Sequence, residues 1–235
     1  MCNISALIFT TKENKKINQS IKNAEILTNI VIPVYPNSKI VETVREKGIK
    51  QAKTDWVLIL DADERITPEL AKEIKQKIKS ENNQTGAYKI PRKNIFAQKK
   101  WLKFGGWWPD YQIRLINKNY FISWPKQIHS TPVIKGKIDY LKNPILHFFH
   151  GDIENMVNKT IIFEDIESDL LYQAKKTANI FTFFRKFIAE LYRRLIKNFG
   201  FLDGTIGVIE SIYQAFSKTI TYLFLYEKTH KNRPL

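Results

Sequence analysis

The residues best suited to chemistry form a short acidic cluster, Asp61, Asp63 and Glu64, directly after the apolar run Trp56–Leu60. Such an unbroken run is typical of a strand that is buried on both faces of a parallel sheet. Ligands of open α/β sheets bind beyond the carboxyl ends of the strands. Two aspartates separated by one residue can direct oxygens to a divalent cation that also bridges substrate phosphates. We therefore predict that Asp61 and Asp63 bind Mg²⁺ or Mn²⁺ and a diphosphate; the alternative is an ordinary acidic surface pair.

The elements around this cluster predict an α/β fold. Ile4–Thr10 and Asn29–Val34 are β-rich apolar runs, and Lys12–Ala24 between them has helical spacing. Ile40–Ala52 has a helical pattern as well. Thr67, which a proline follows, predicts the N-cap of another helix. Strands that alternate with helices in this way indicate an α/β sheet.

The pattern changes twice in the rest of the chain. From Ala87 to Phe149, short β-like pieces are separated by Gly, Pro and Asn, and helical spacing returns beyond Gly151. We expect one domain over residues 1–150. Its first half, at about 1–85, carries the acidic cluster and would bind the phosphate-bearing substrate, which we call the donor; its second half, at about 86–150, would bind the other substrate, which we call the acceptor. A helical region over 151–235 is expected to follow it.

Composition limits the classes of function. The 235 residues carry a formal net charge of +15, so an anionic partner is expected. Cys2 is the single cysteine, which excludes an intramolecular disulfide framework and favours a reducing, cytoplasmic location. No stretch has the roughly 18 uncharged apolar residues of a membrane-spanning helix.

Several segments together resemble family 2 glycosyltransferases with the GT-A fold, and more narrowly the bacterial group related to lipopolysaccharide-core β-glucosyltransferases. The resemblance spans nearly the whole chain. The segments that carry it are Ile4–Thr10, Trp56–Arg65, Thr67–Leu70, Gly86–Arg92, Gly106–Leu115, Leu141–His147 and Gly200–Gly204.

The resemblance implies a nucleotide-diphospho-sugar transferase with a helical, amphipathic C-terminal extension. Asp61 and Asp63 would hold the metal and the nucleotide diphosphate, and the segment 106–115 would help to form the catalytic and acceptor site. The donor implied is a nucleotide sugar, most simply a UDP-sugar. The acceptor would be a lipid-linked or polysaccharide precursor of the cell envelope, glycosylated at the cytoplasmic face of the membrane.

Two positions depart from this family's pattern. Val34–Ser38 replaces the acidic turn that helps to hold the nucleotide base, so the base pocket is either rebuilt from Tyr35, Asn37 and Ser38 or reduced. Ser130 follows His129 where related sequences often have glutamate, and serine cannot serve as a carboxylate base.

Asp110 is the first candidate for the catalytic base and His129 the second. An inverting transfer needs a carboxylate or an imidazole to take the proton of the acceptor hydroxyl. Trp107, Trp108 and Tyr111 flank Asp110 and are candidates for stacking on sugar faces. The alternative is that Asp110 caps a turn and that the tryptophans belong to the core.

Three further residues are candidates for the donor site. His147 follows a β-like stretch, where a neutral imidazole can reach the metal or a phosphate. Arg114 is a candidate for pairing with the diphosphate through its planar guanidinium, and Arg45 is a weaker one. A structural histidine and two solvated arginines are the alternatives.

The C-terminal region has amphipathic helical patterns over residues 181–226, with apolar residues on one face and Lys and Arg on the other. Such a helix can lie on an anionic membrane surface. The alternative is that both helices pack their apolar faces on the catalytic domain. Lys218 and Glu210 argue against insertion across the membrane.

The leading hypothesis is an inverting, metal-dependent glycosyltransferase that associates peripherally with the inner face of the cell membrane. A degenerate relative that binds donor or glycan without turnover is the alternative. A basic nucleic-acid-binding module is a remote third hypothesis, because the aromatic residues lie apart from the Lys and Arg runs and no nucleic-acid-binding motif is present. We therefore expect no nucleic-acid partner.

Overall fold

A computed structural model describes residues 3–10, 17–36, 42–80, 84–125, 130–149 and 153–230. The chain divides into two compact units. The first comprises Met1–Lys93 and Pro109–His147, and the second comprises Asn94–Trp108 and Phe148–Leu235. The segment Asn94–Trp108, which we expected in the acceptor half of the first domain, thus groups with the C-terminal helices.

The first unit is an α/β unit. Its strands are β1 (Ile4–Phe9), β2 (Val31–Val34), β3 (Trp56–Asp61), β4 (Glu64–Ile66), β5 (Thr85–Phe96, whose last residues belong to the second unit), β7 (Asp110–Asn117), β8 (Phe121–Ser123), β9 (Val133–Ile134), β10 (Lys137–Tyr140) and β11 (Ile145–His147). Its helices are α1 (Ile17–Ala24), α2 (Glu42–Gln51) and α3 (Pro68–Lys79), with a short 3-10 turn at Lys118–Tyr120.

The main sheet has the strand order β2-β1-β3-β7-β5-β11-β4, and β10 pairs with β5. β1 is parallel to both β2 and β3, whereas β7 is antiparallel to β3 and to β5. The sheet is therefore parallel where the β-α-β pattern was recognised and antiparallel where the sequence pattern became irregular.

Strand β1 shows why the sheet is buried on both faces. Ile4 and Ala6 belong to a core cluster that includes α3 side chains, whereas Leu7 and Phe9 belong to another that includes Ile49 of α2. Successive side chains of a strand point to opposite faces, so helices cover both sides. The expected α/β fold class is confirmed.

The predicted cap of α3 is also confirmed. The Thr67 hydroxyl oxygen accepts a hydrogen bond from the Leu70 amide at 3.1 Å, and Pro68 occupies the first turn. This contact satisfies one of the amides that a helix start leaves without a partner. The cap fixes the chain a few residues after the acidic cluster.

The second unit is mainly helical, as expected for the C-terminal region. It contains β6 (Lys100–Trp101), α4 (Ile153–Gln173), α5 (Ile180–Leu191), a π-helical continuation at Tyr192–Lys197, a 3-10 turn at Gly200–Asp203 and α6 (Thr205–His230). α4 and α6 are joined by polar contacts: Lys228 pairs with Asp165 and Asp169, and Ser217 donates to Glu164. Among the described residues, no helix has both the length and the apolar run needed to cross a membrane.

Candidate functional site

The acidic cluster lies on a tight turn between β3 and β4. Asp61 ends β3, Glu64 begins β4, and the Asp61 amide donates a hydrogen bond to the Glu64 carboxylate at 3.0 Å. The Ala62 amide donates to the Phe9 carbonyl at 3.1 Å, and the Ala62 carbonyl accepts from the Ser20 hydroxyl at 2.8 Å. Because both backbone groups of Ala62 are engaged, the turn holds the carboxylates on either side of it in place.

Asp61 is held by two arginines. Its Oδ1 accepts from Nη2 of Arg45 at 2.8 Å, and its Oδ2 accepts from Nη2 of Arg114 at 2.6 Å. Burial by itself raises the pKa of Asp61, but the positive charges of Arg114 and Arg45 outweigh it and bring this pKa well below its ordinary value. Asp61 is therefore ionised at neutral pH.

Arg114 connects Asp61 to a second buried carboxylate. The same Nη2 atom donates to Oε1 of Glu64 at 2.6 Å, and the Glu64 side chain is fully buried. Although burial disfavours the charge of Arg114, Asp61 and Glu64 raise its pKa above the ordinary value. A buried guanidinium between two carboxylates is a strongly coupled arrangement, because none of the three charges is hydrated as it would be in water.

The contacts continue to Asp110 through Arg92. Arg92 lies 3.7 Å from Glu64 and donates to Asp110 Oδ2 from Nε at 2.8 Å and from Nη2 at 2.6 Å. Gln112 donates to Asp110 Oδ1 at 2.8 Å, so both oxygens of this carboxylate are oriented. The six residues alternate in charge and are called the charge network below: Arg45, Asp61, Arg114, Glu64, Arg92 and Asp110.

Two guanidinium groups of the charge network keep an unused donor. Within the described part of the chain, the Nε atoms of Arg45 and Arg114 are buried and have no hydrogen-bond partner. The Arg45 guanidinium also lies 5.0 Å from the centre of the Trp124 ring and 5.5 Å from that of Phe9. Buried N–H groups normally have partners, so these atoms are candidates for binding an anionic ligand.

Asp63 lies next to His147. Its Oδ1 lies 3.7 Å from Nε2 of His147, which the antiparallel pairing of β11 with β4 places opposite Glu64. Burial lowers the pKa of the His147 imidazole, which is therefore neutral at pH 7 and able to bind a cation. The Asp63 side chain is 33% exposed and thus accessible from solvent.

The pair fits a metal that shares its coordination with a substrate. Over the part of the chain that the structure describes, no three His, Cys, Asp or Glu side chains are arranged to hold a metal ion by themselves. Mg²⁺ is commonly bound through one or two carboxylates together with substrate phosphates. Asp63 and His147 supply suitable oxygen and nitrogen donors, whereas both Asp61 oxygens already accept from arginines.

Each of the aromatic candidates packs against another aromatic ring. Trp107 packs against Phe149 with ring centres 4.8 Å apart, and Trp108 meets Trp101 edge to face at 5.4 Å. Tyr111, in the first unit, is exposed and meets Tyr140 edge to face at 5.0 Å. Their role in acceptor binding stays a prediction.

The Gly200–Gly204 motif holds the aromatic segment, which we define as residues 101–108. Asp203 Oδ2 accepts from the amides of Lys103 at 2.9 Å and Phe104 at 2.8 Å. Arg194 donates to the Gly105 carbonyl at 3.2 Å and lies 5.1 Å from the Trp107 ring centre. One buried carboxylate thus fixes two consecutive amides of this segment.

Asp203→Ala is expected to loosen the aromatic segment and to lower the free energy of unfolding by about 1–3 kcal/mol, since two partly buried amides lose their carboxylate acceptor. Faster hydrogen exchange at the Lys103 and Phe104 amides would report the local change. Asp139→Ala, which removes an exposed carboxylate from the first unit, is the control. Unchanged protection of both amides in Asp203→Ala would contradict this role.

The last two positions that the sequence singled out are His129 and Ser130. His129 lies outside the described residues. Ser130, where the family resemblance led us to expect glutamate, accepts from the Trp124 indole at 3.1 Å and donates to the Pro125 carbonyl at 2.6 Å, so it closes a turn. Sequence reasoning gave no role to Arg92, because its pairing with Asp110 depends on the register of β5 against β7.

Comparison with known proteins identifies relatives for most of the chain. Residues 29–140 match the model of glycosyl transferase family 2. An uncharacterized glycosyltransferase of Rickettsia typhi is 29% identical over 99% of the chain and 90% of its own length, and one of Rickettsia conorii is 28% identical over 98% and 92%. In structure, the chain is similar to residues 1–349 of S. aureus TarS with a TM-score of 0.40 and 12% identity, covering 98% of this chain and 92% of that one.

Proposed function

We propose that this chain transfers a sugar from a nucleotide-sugar donor to a cell-envelope acceptor with inversion at the anomeric carbon. The match of residues 29–140 to glycosyl transferase family 2 and the similarity to the Rickettsia glycosyltransferases support this proposal. The donor is a UDP-sugar, and the acceptor is a lipid-linked or polysaccharide precursor at the cytoplasmic face of the membrane. The observation that supports this most directly is the turn at Asp61–Glu64, where carboxylates and arginines meet at the end of a buried parallel strand.

In this proposal, the donor diphosphate is bound next to Arg45 and Arg114. Asp61 holds both guanidinium groups, and each keeps a buried Nε–H that can donate to a phosphate oxygen. Arginine forms directional hydrogen bonds with phosphate through its planar fork. Asp61 then acts as the residue that positions the two arginines.

Asp63 and His147 would hold the Mg²⁺ or Mn²⁺ ion, with Asp61 beside them. The ion supplies a Lewis acid that neutralises charge on the departing diphosphate. Asp63 keeps one oxygen near the uncharged His147 ring, and burial keeps that ring from taking a proton at neutral pH. The residues present thus provide two donors and leave the remaining positions to phosphates and water.

Asp110 is the proposed base, with His129 as the second candidate. Arg92 and Gln112 hold both Asp110 oxygens in one orientation. In the transfer step, the carboxylate takes the proton of the acceptor hydroxyl, whose oxygen forms a bond to the anomeric carbon. The bond from that carbon to the diphosphate breaks, and the nucleoside diphosphate leaves with the electron pair.

Asp110→Asn is expected to lower kcat by about 100- to 10,000-fold, which is the usual effect of losing a general base. Asparagine keeps an oxygen for Arg92, so the variant is expected to fold and to retain the wild-type affinity for the donor. Steady-state transfer and donor-binding titrations would separate the two effects. Wild-type turnover of Asp110→Asn would assign the base to another residue.

A degenerate glycosyltransferase that binds without turnover is the second candidate. The observation that favours it is Ser130, whose hydroxyl is engaged with Trp124 and Pro125 at the position where relatives often have glutamate. Donor hydrolysis or transfer by the pure protein would eliminate this alternative.

A thermal-shift screen tests the donor and the metal together. A ligand that binds the native state raises Tm. We expect the largest increase with a UDP-sugar and Mn²⁺ together, and smaller increases with GDP- or dTDP-sugars. If no nucleotide sugar raises Tm with or without Mn²⁺, the proposed donor site is wrong.

A further inference from the structure

Helix α5 and its π-helical continuation expose a regular apolar stripe. We define the α5 stripe as Phe181, Phe184, Ile188, Tyr192 and Ile196, whose side chains are between 50% and 79% exposed. Their spacing of three and four residues places them on one face of the helix. Single exposed apolar residues are common, whereas a contiguous apolar stripe of this kind marks an interaction site.

The α5 stripe is not the face that packs within the second unit. Phe183 packs against a core cluster formed by Ala178, Tyr222 and Leu225, and Phe187 is half-buried. The sequence predicted one apolar face for this helix. The structure shows two apolar faces: one contacts α6, and the other is exposed.

The charges beside the α5 stripe are almost all positive. Residues 180–197 contain one acidic residue, Glu190, which pairs with Arg193 and Arg194. Arg185 and Lys197 are exposed and form no ion pair with any described residue. The basic residues of the segment are Arg185, Lys186, Arg193, Arg194 and Lys197.

Helix α4 provides an internal comparison. It also exposes apolar side chains, among them Ile161 and Leu170. Its charge is opposite, because Lys159 is its one basic residue beside five acidic ones. The acidic residues of α4 are Glu154, Glu164, Asp165, Glu167 and Asp169. An anionic surface would attract α5 and repel α4, and the apolar side chains of α4 are also less exposed, at 44% for Ile161 and 38% for Leu170.

We propose that the α5 stripe docks on the surface of an anionic phospholipid bilayer. The helix lies parallel to that surface, its aromatic and aliphatic side chains enter the boundary between headgroups and acyl chains, and Arg185 and Lys197 contact lipid phosphates. A second copy of the chain is the less suitable occupant, because the basic residues beside the two stripes would then repel each other.

Vesicle co-sedimentation of the full chain tests the proposal. We expect binding to vesicles of phosphatidylcholine mixed with phosphatidylglycerol, little binding to phosphatidylcholine alone, and weaker binding at high salt because charges are then screened. The triple variant Phe181→Ser, Phe184→Ser and Ile188→Ser is expected to bind about tenfold or more weakly, since affinity scales with buried apolar area. Arg185→Gln with Lys197→Gln is expected to reduce the salt dependence.

Ile161→Ser with Leu170→Ser is the control, because it removes partly exposed apolar side chains (44% and 38% exposed) from the acidic α4 and is expected to bind like the wild type. The proposal is overturned if the triple variant, shown by circular dichroism to be folded, binds vesicles like the wild type, or if the control loses binding equally. It is also overturned if the α5 stripe instead mediates dimerisation or salt-sensitive binding to nucleic acid without vesicle binding. The assay contains no nucleotide sugar, so its result is independent of the proposed transfer.

Discussion

Asp63→Ala is expected to lower sugar transfer by about 100- to 1,000-fold, which corresponds to losing several kcal/mol of transition-state stabilisation by a metal. Asp63 is the carboxylate of the turn that lies near His147, whereas Asp61 is bound by Arg45 and Arg114. It is also one-third exposed, so its removal is expected to leave the fold intact. The loss should therefore appear in turnover and in metal-dependent donor binding.

Two measurements separate this effect from general damage. Binding of a UDP-sugar is followed by Tm with and without Mn²⁺, and the increase that Mn²⁺ adds is expected to disappear in Asp63→Ala. Asp139→Ala removes another carboxylate of the first unit and is expected to behave like the wild type. Metal-dependent turnover at the wild-type rate in Asp63→Ala would exclude Asp63 as a ligand of the metal.

Arg114→Met is expected to lower the free energy of unfolding by about 3–5 kcal/mol, the usual cost of removing one partner of a buried ion pair. Arg114 is 3% exposed and pairs with both Asp61 and Glu64. Without it, Glu64 is left in a fully buried position with Arg92 at 3.7 Å as the nearest cation. Donor affinity is expected to fall as well, because Asp61 would then hold one arginine instead of two.

The urea midpoint, followed by tryptophan fluorescence, measures this loss of stability. Combining Arg114→Met with Glu64→Gln is expected to restore part of it, because the second change removes the uncompensated buried charge. Arg193→Met is the surface control: Arg193 pairs with Glu190 on an exposed helix, so an effect within about 1 kcal/mol is expected. Equal midpoints for Arg114→Met and Arg193→Met would contradict a coupled network.

Much of the first unit follows from local sequence patterns. The apolar run before Asp61 is a strand buried on both faces, and Thr67 caps the next helix, as predicted. Both features depend on residues that are close in the chain, so hydrophobic periodicity and capping chemistry are sufficient to recognise them. The family resemblance, carried by these same segments, is confirmed; its narrower link to lipopolysaccharide-core enzymes stays a prediction.

The acidic cluster was located by sequence, but its partners were not. Arg45 and Arg114 were proposed as separate contacts to the diphosphate, and the structure shows that both bind Asp61. Arg92 reaches Asp110 because β5 and β7 pair antiparallel in the register that sets these two residues opposite each other. A shift of one residue would send the side chains to opposite faces, and short irregular strands do not specify their register in sequence.

The sequence by itself thus determined the α/β class, the strand end that carries Asp61 and Asp63, and the amphipathic character of the C-terminal helices. Tertiary structure decided which carboxylate faces arginines and which faces His147, and which apolar face of α5 is covered by α6. The physical reason is distance along the chain. Periodicity and capping act over a few residues, whereas ion pairs and covered helix faces join residues that only folding brings together.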